Sequence, residues 1–351
     1  MDFNILRQVL QNELLDMKIN HYDKGTSGTL GLAEKYLSNL EYCSSKRVEK
    51  ASIEMIYRNK PFGFLHGQSP STNTTKAIRT ANNKLKTEKI LADGNINTTR
   101  STIFEMEEYE KAKSMVNESK HLMVIKPYNL NAGRGITLNV DPTNFDFAWK
   151  QALKAYEKTT QKFKVLIQPM LPGIETRMLI VEGHFNSAIL RVPSNIIGDG
   201  KLSIKELIDE KNNIRRVNPH LKLLPIKISE TLEYNLELNG NNLHTVPEKN
   251  ELIFLHFSSN ISLGGDSYEV SHLINDSMKK LAEKSVAAIS GLSTAGVDIL
   301  FRSFHDEEPA VLEINPGANL RMHHYPWKGT PKSPVHDLID SMLSSYKSGL
   351  K

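Results

Sequence analysis

The chain has 351 residues, of which 39% are hydrophobic and 24% charged, with a net charge of +4, a size that suits roughly two or three subdomains. The mild basic excess contains no dense Lys/Arg block, which argues against a nucleic-acid partner and leaves small anionic ligands as the class it suits. A single cysteine, Cys43, excludes an internal disulfide and a thiolate zinc site; no apolar run nears the about 18 residues of a membrane span, and the opening residues lack a secretory signal's basic start and apolar core, so no membrane partner and a cytoplasmic location are expected.

In chain order, Phe3, Leu6, Val9, Leu10, Leu14 and Met17 fall at helical spacing, and LAEKYLSNLEY predicts a second helix. The signal weakens over PFGFLHGQSPSTNTTK, which reads as a connection. AIRTANNKLKTEKILADG reads as one helix ending at Gly94. HLMVIKP and ITLNV predict strands flanking the loop YNLNAGRG, FDFAWKQALKAYEKT a helix, and KVLIQPM a buried strand. ETRMLIVEGHFNSAILRVP reads as a hairpin turned at Glu182-Gly183. SIKELIDEKNN is a helix, LIFLHF a strand, Asp276 to Gly291 a long helix, AGVDILF and AVLEIN two strands, and a closing helix follows Pro334. Strands and helices alternate with hairpins between them, so mixed sheets are expected in an α/β or α+β fold.

Chemistry could gather at three places. Asn131-Ala132-Gly133-Arg134-Gly135 is a small-residue loop between strands, with Lys126 at the exit of the first. Its backbone amides and that lysine suit a phosphate, though a plain glycine-rich turn fits equally. Neither GxxxxGK[ST] nor a full dinucleotide fingerprint occurs. Asp298 ends one strand and Glu313 with Asn315 another; the last two share a face, and such hard oxygen donors match Mg²⁺ or a solvated strand end. Arg177 and Arg191 stand among apolar neighbours on the hairpin, where a guanidinium needs an anion, whether a ligand's or, as for most single arginines, a surface salt-bridge partner's. Adjacent His323 and His324, read as extended, point to opposite sides and make a poor transition-metal pair.

These strings, in order, resemble the ATP-grasp family of carboxylate–amine ligases, in particular the ATP-grasp part of cyanophycin synthetase and of bifunctional glutathione-synthesising enzymes. NKLKTEKILADGNI resembles D-K-x-x-T-K-x-L-L, and KPYNLNAGRGIT resembles K-P-x-x-G-N-x-G-R-G-V-T. VLIQPMLPGIETRMLIVEGHF resembles the hinge strand followed by G-x-D/E-x-R and a hairpin. RVPSNIIGDGKLSIKELID, NISLGG, AGVDIL and EINPGANLRMH resemble the later motifs, the last with its E-x-N-(x)₅-R-M-H spacing. The likeness runs from about Gln68 to Met342.

The resemblance implies an α+β ATP-grasp fold holding a nucleotide between two subdomains. Expected units are a helical N-terminal extension over 1–75, an N-terminal and lid subdomain over 76–168, and a C-terminal subdomain with the metal site over 169–351. The extension would be a substrate-recognition or dimerisation unit, or a helical layer over one sheet face. Lys84, Lys126, Asn131, Gly133, Arg134 and Gly135 would meet the phosphates of ATP, the loop acting as a lid, with Gln168 and Met170 on the adenine side. Asp298, Glu313 and Asn315 would hold Mg²⁺, with Mn²⁺ as a stand-in. Arg177, Arg191 and Arg321 would stabilise developing charge, and Asn260, Ser262, Gly264, Gly265 and His323 would line the substrate.

The implied reaction activates a carboxylate as an acyl phosphate and joins it to an amine, with an amino acid or short peptide as substrate and a homodimer among the implied assemblies. Departures cluster near the substrate: Glu88 for the helix's second lysine, Asn83 for its aspartate, Ala132 for a histidine and Pro316-Gly317-Ala318-Asn319 for A-A-P-G; on the adenine side Gln168 stands for a glutamate. The chain has no room for the partner domains of those larger enzymes, so bulk cyanophycin or glutathione synthesis by it alone is not expected. A phosphotransferase and a non-catalytic ATP-binding module are the rival readings.

Overall fold

The computed structural model describes residues 2–14, 16–22, 28–128, 130, 135–157 and 159–349. Helix α1 (Phe3–Asn12) starts where the Asp2 carboxylate accepts from the amides of Asn4 and Ile5, and buries Leu6, Val9 and Leu10. Helix α2 (Thr29–Leu37) leads into an antiparallel sheet of β1 (Cys43–Glu49), β2 (Ser52–Tyr57), β3 (Lys60–His66) and β4 (Ser69–Pro70), in that order. The N-terminal unit is therefore not the helical one expected. Pro61 and Gly63 interrupt the alternation of β3, and Arg58-Asn59, both at positive φ, make the turn without a glycine. Nor is it an appendage. Leu6, Val9 and Leu10 enter the main core. Leu30, Ala33, Leu37, Ile53, Met55 and Leu65 form a second core with Leu179 and Val181.

The single expected helix after residue 76 is two, α3 (Thr75–Ala81) and α4 (Lys84–Asp93). Asn83 takes an extended backbone and caps α4 by accepting from the Lys86 amide, and that cap defeats the continuous helical spacing. Strand β5 (Thr102–Glu105) and helix α5 (Tyr109–Glu118) follow, then β6 (Met123–Pro127), β7 (Thr137–Val140), α6 (Phe145–Tyr156) and β8 (Lys164–Pro169). These strands form a sheet in the order β5-β8-β6-β7, over a core built from residues such as Phe104, Val116, Ile125, Phe145, Trp149 and Ile167. Packing divides the expected 76–168 unit: Ala77, Ala81, Leu91 and Ile96 sit in the main core, away from this sheet's own.

The main sheet is built from the hairpin β9 (Ile174–Val181) and β10 (His184–Val192) and, further on, β13 (Asp266–Glu269), β14 (Ala295–Phe301) and β15 (Ala310–Asn315), ordered β13-β10-β9-β14-β15. Between them lie β11 (Asn195–Ile197), α7 (Ile204–Arg215), α8 (Glu230–Leu238), β12 (Leu252–Phe254), paired with β11, and α9 (Asp276–Ala287). Ser203 and Glu206 close a reciprocal cap on α7. Helices α10 (Arg321–His324) and α11 (Pro334–Ser348) end the chain. Every ladder among the described strands is antiparallel, so the sheets are not mixed and the class is α+β. No helix among the described residues is long and apolar enough to cross a membrane.

Alternation along the main sheet decides where chemistry can sit. Ile174, Met178, Ile180, Leu190, Val297 and Ile299 pack against α1 and α9 in the main core. On the strand's other face, Leu179 and Val181 are covered by the N-terminal unit and α11, while Glu175 and Arg177 lie beyond that cover.

Candidate active site

Register builds the site. Arg177 on β9 pairs with Asp298 on β14, and Asp298 with Glu313 on β15, so three charged side chains stand in one row across three strands. Arg177 grips Asp298 in parallel, Nε to Oδ1 and Nη2 to Oδ2, both at 2.7 Å. Arg191 Nη2 donates to the same Oδ2 at 3.0 Å and also pairs with Glu175, whose second oxygen accepts from Ser259 Oγ at 2.7 Å. Asn315 turns its amide nitrogen to both Asp298 Oδ2 (3.3 Å) and Glu313 Oε1 (3.1 Å).

Asp298 is fully buried. Burial alone would raise its pKa, but the Arg177 and Arg191 guanidiniums outweigh that and hold the carboxyl well below the usual range. Burial pulls Arg177 down in turn, and the Asp298 carboxylate overcomes it, leaving the guanidinium's pKa raised.

The facing wall comes from α4 and β6. Lys84, the first residue of α4, places Nζ 3.7 Å from Glu313 Oε2. Burial and the nearby charge of Lys84 lower the Lys126 pKa to about 8, against the pull of Glu313 and Glu88. A lysine so placed is a cation held ready for an anion. Gln168 is buried, with Oε1 accepting from Ser101 Oγ at 3.1 Å. Glu88 accepts from the Ser101 amide and from Thr99 Oγ1, so this departure from the family pattern anchors the loop beside Gln168. Met170 donates its amide to Leu122 O, tying the end of β8 to the entrance of β6.

The structure thus gathers Arg177, Arg191, Asp298, Glu313, Asn315, Lys84 and Lys126. Asn131, Gly133 and Arg134 lie outside the described residues. Gly135 is described: its φ of +70° and a Cβ position only 2.7 Å from Ala155 Cβ admit no side chain. Asn260 Oδ1 accepts from the Ser262 amide and hydroxyl, shaping the short turn that Gly264 closes at φ +89°. Buried Arg215 holds that loop through the Gly265 carbonyl. Arg321 is half-buried on α10, and its guanidinium has no ion-pair partner among the described residues.

His323, expected to line the substrate, is turned into the core. It is fully buried, its Nδ1 lies 2.8 Å from Ser187 Oγ, and burial pushes its pKa well down. The cause is local: the Arg-Met-His-His run is a helical turn, not the extended segment expected, and it turns both imidazoles inward. His324 Nε2 accepts from the Val335 amide at the start of α11. Glu175, Ser259 and Ser101 were not singled out in the sequence, and Glu88 only as a departure from the family's helix. Of the first three, only Glu175 left a trace there, two residues before Arg177 on a strand.

The donors fit Mg²⁺ better than a closed protein cage. Among the described residues no group of three His, Cys, Asp or Glu side chains could hold an ion by itself. Glu313 is partly exposed, and Asn315, with its nitrogen engaged, leaves its oxygen as acceptor. One or two carboxylates with phosphate completing the shell is Mg²⁺'s usual arrangement. Asp298 is an available ligand only when its arginines move to another anion.

The ATP-grasp domain family profile matches residues 81–319. Cyanophycin synthetase of Trichormus variabilis is 30% identical over 322 residues, 87% of this chain and 35% of that protein. The glutathione biosynthesis bifunctional protein of Enterococcus faecalis is 29% identical over 265 residues, 73% of this chain and 34% of its own length. The crystal structure of a bifunctional glutathione synthetase from Pasteurella multocida superposes with a TM-score of 0.66 at 25% identity, covering 86% of this chain and 41% of that one. The chain spans about a third of the length of these curated relatives.

Proposed function

The chain belongs to the ATP-grasp domain family, and on that footing we propose that it is an ATP-dependent carboxylate–amine ligase acting on an amino acid or short peptide. The γ-phosphoryl group of ATP passes to the substrate carboxylate, an amine displaces phosphate from the acyl phosphate, and an amide, ADP and phosphate result. The observation that carries the reading is the sheet face itself. Arg177, Arg191, Glu313 and Asn315 share it, with Lys84 and Lys126 opposite.

Lys84 and Lys126 bind phosphate oxygens, and the depressed Lys126 regains full charge as the anion arrives. Arg177 and Arg191 turn from Asp298 to the oxygens that gain charge during transfer, joined by Arg321. Glu313 and Asn315 would hold Mg²⁺, with Asp298 beside them as a further carboxylate. The bound ion would neutralise charge on the transferring group. Gln168 and Met170 border the base.

The test is Mg²⁺- and ATP-dependent phosphate release, screened against pooled amino acids and short peptides with Glu313→Ala as control. Release that needs both an acid and an amine, and is lost in the control, is expected. Release with an alcohol or an acid alone, with no amide formed, would replace this reading with phosphotransfer.

A further inference from the structure

The break between α3 and α4 opens a cleft of about 490 Å³ lined by Thr75, Lys76, Arg79, Thr80, Asn83 and Lys86. It falls within the roughly 300–1,000 Å³ of small-molecule sites. Its three cations have no carboxylate partner among the described residues, so the lining they form is basic. The cleft is not the phosphate-facing wall already described. Lys84 sends its amine to Glu313, and Lys86, two residues along the helix, points to nearly the opposite side.

Asn83 joins the two places. Its Oδ1 accepts from the Lys86 amide at 3.0 Å and from Tyr128 OH at 3.1 Å, just past β6 and Lys126. Its amide NH₂ meets no acceptor among the described residues and stands beside the three cations and the hydroxyls of Thr75 and Thr80. Three cations with an amide NH₂ and two hydroxyls able to donate suit oxyanions with more than one negative group.

We infer that the α3–α4 cleft binds a small polyanion of carboxylate or phosphate chemistry. The anion is either an acidic arm of the carboxylate substrate, a source that rests on the ligase reading, or a free inorganic anion. Calorimetric titration with a tetra-aspartate peptide and, separately, with inorganic phosphate tests this on the wild-type chain, Lys280→Ala on the exposed side of α9 and the double variant Arg79→Ala/Lys86→Ala. Wild type and Lys280→Ala should bind alike. The double variant should bind about tenfold or more weakly, the loss that follows removal of charged hydrogen bonds.

Peptide binding without phosphate binding assigns the substrate arm, and the reverse assigns the free anion. Arg79 and Lys86 are exposed, and an unchanged melting temperature would show the fold intact. Lys76→Ala alone should weaken binding in the same direction. Equal binding by wild type and the double variant, or binding of neither probe to wild type, would overturn the inference. None of these readouts requires turnover, so a failed ligase assay leaves the inference standing or falling by itself.

Discussion

Arg177 and Asp298 are neighbours in register on β9 and β14, joined by two parallel hydrogen bonds of 2.7 Å. The acid is wholly buried, and a second guanidinium, Arg191, shares one of its oxygens. The pair therefore serves the fold and the site together: the buried carboxylate aims two arginines at the open face of the sheet.

Asp298→Asn keeps the shape and removes the charge, leaving Arg177 without its main anion and Arg191 with Glu175 alone. Stability should fall by about 3–5 kcal/mol, the range for breaking one side of a buried ion pair. Urea unfolding of the variant against wild type measures it. A loss under about 1 kcal/mol would mean that water, not Asp298, solvates the arginines.

Arg177→Lys retains a cation but cannot reproduce the two-toothed grip. The turnover number should drop about 100-fold or more, as when one oriented donor at a developing anion is lost. The KM for ATP should stay within about threefold, because Lys84 and Lys126 remain. Steady-state kinetics with the acid–amine pair found by screening separates the two effects.

The Lys126 pKa, lowered to about 8 chiefly by burial, gives nucleotide binding a pH dependence. Below pH 8 the folded chain holds the proton and presents the cation; above it the cation is lost, so affinity for ATP should fall as pH rises through about 8. Lys126→Arg, which stays charged, should flatten that profile in a fluorescence titration. The sign for stability is opposite. Between about pH 8 and the ordinary lysine value the unfolded chain binds more protons, so Lys126's cost to the fold fades as pH rises.

Ser187→Ala removes the partner of His323 Nδ1. Because that histidine is buried, the effect should be on folding, about 1–3 kcal/mol for an orphaned buried group. Substrate KM values should not move. A raised KM with unchanged stability would return His323 to the substrate pocket.

Local pattern made part of this site legible. Glu313 and Asn315 share a face because side chains alternate along a strand, and Glu182-Gly183 marks the hairpin that carries Arg177 and Arg191. The grip of Arg177 on Asp298 spans 121 positions, and register between distant strands leaves no mark in either local string. The sheet at 43–70 was hidden because Pro61 and Gly63 interrupt its alternation. The α3–α4 break was hidden because Asn82-Asn83 sits inside an unbroken helical spacing. His323 misled because burial depends on a turn that four residues do not announce. Glu88 was seen only as a substitution, and its contact with the Ser101 amide needed the fold.

The central claim is that a substrate carboxylate is activated by phosphoryl transfer on the face shared by Arg177, Arg191 and Glu313. The most direct test labels both carboxylate oxygens of the screened acid with ¹⁸O and follows them by mass spectrometry through one turnover. The account requires one ¹⁸O in the released phosphate for each amide formed, the other staying in the amide. Label in AMP, or amide formation with unlabelled phosphate, would contradict it.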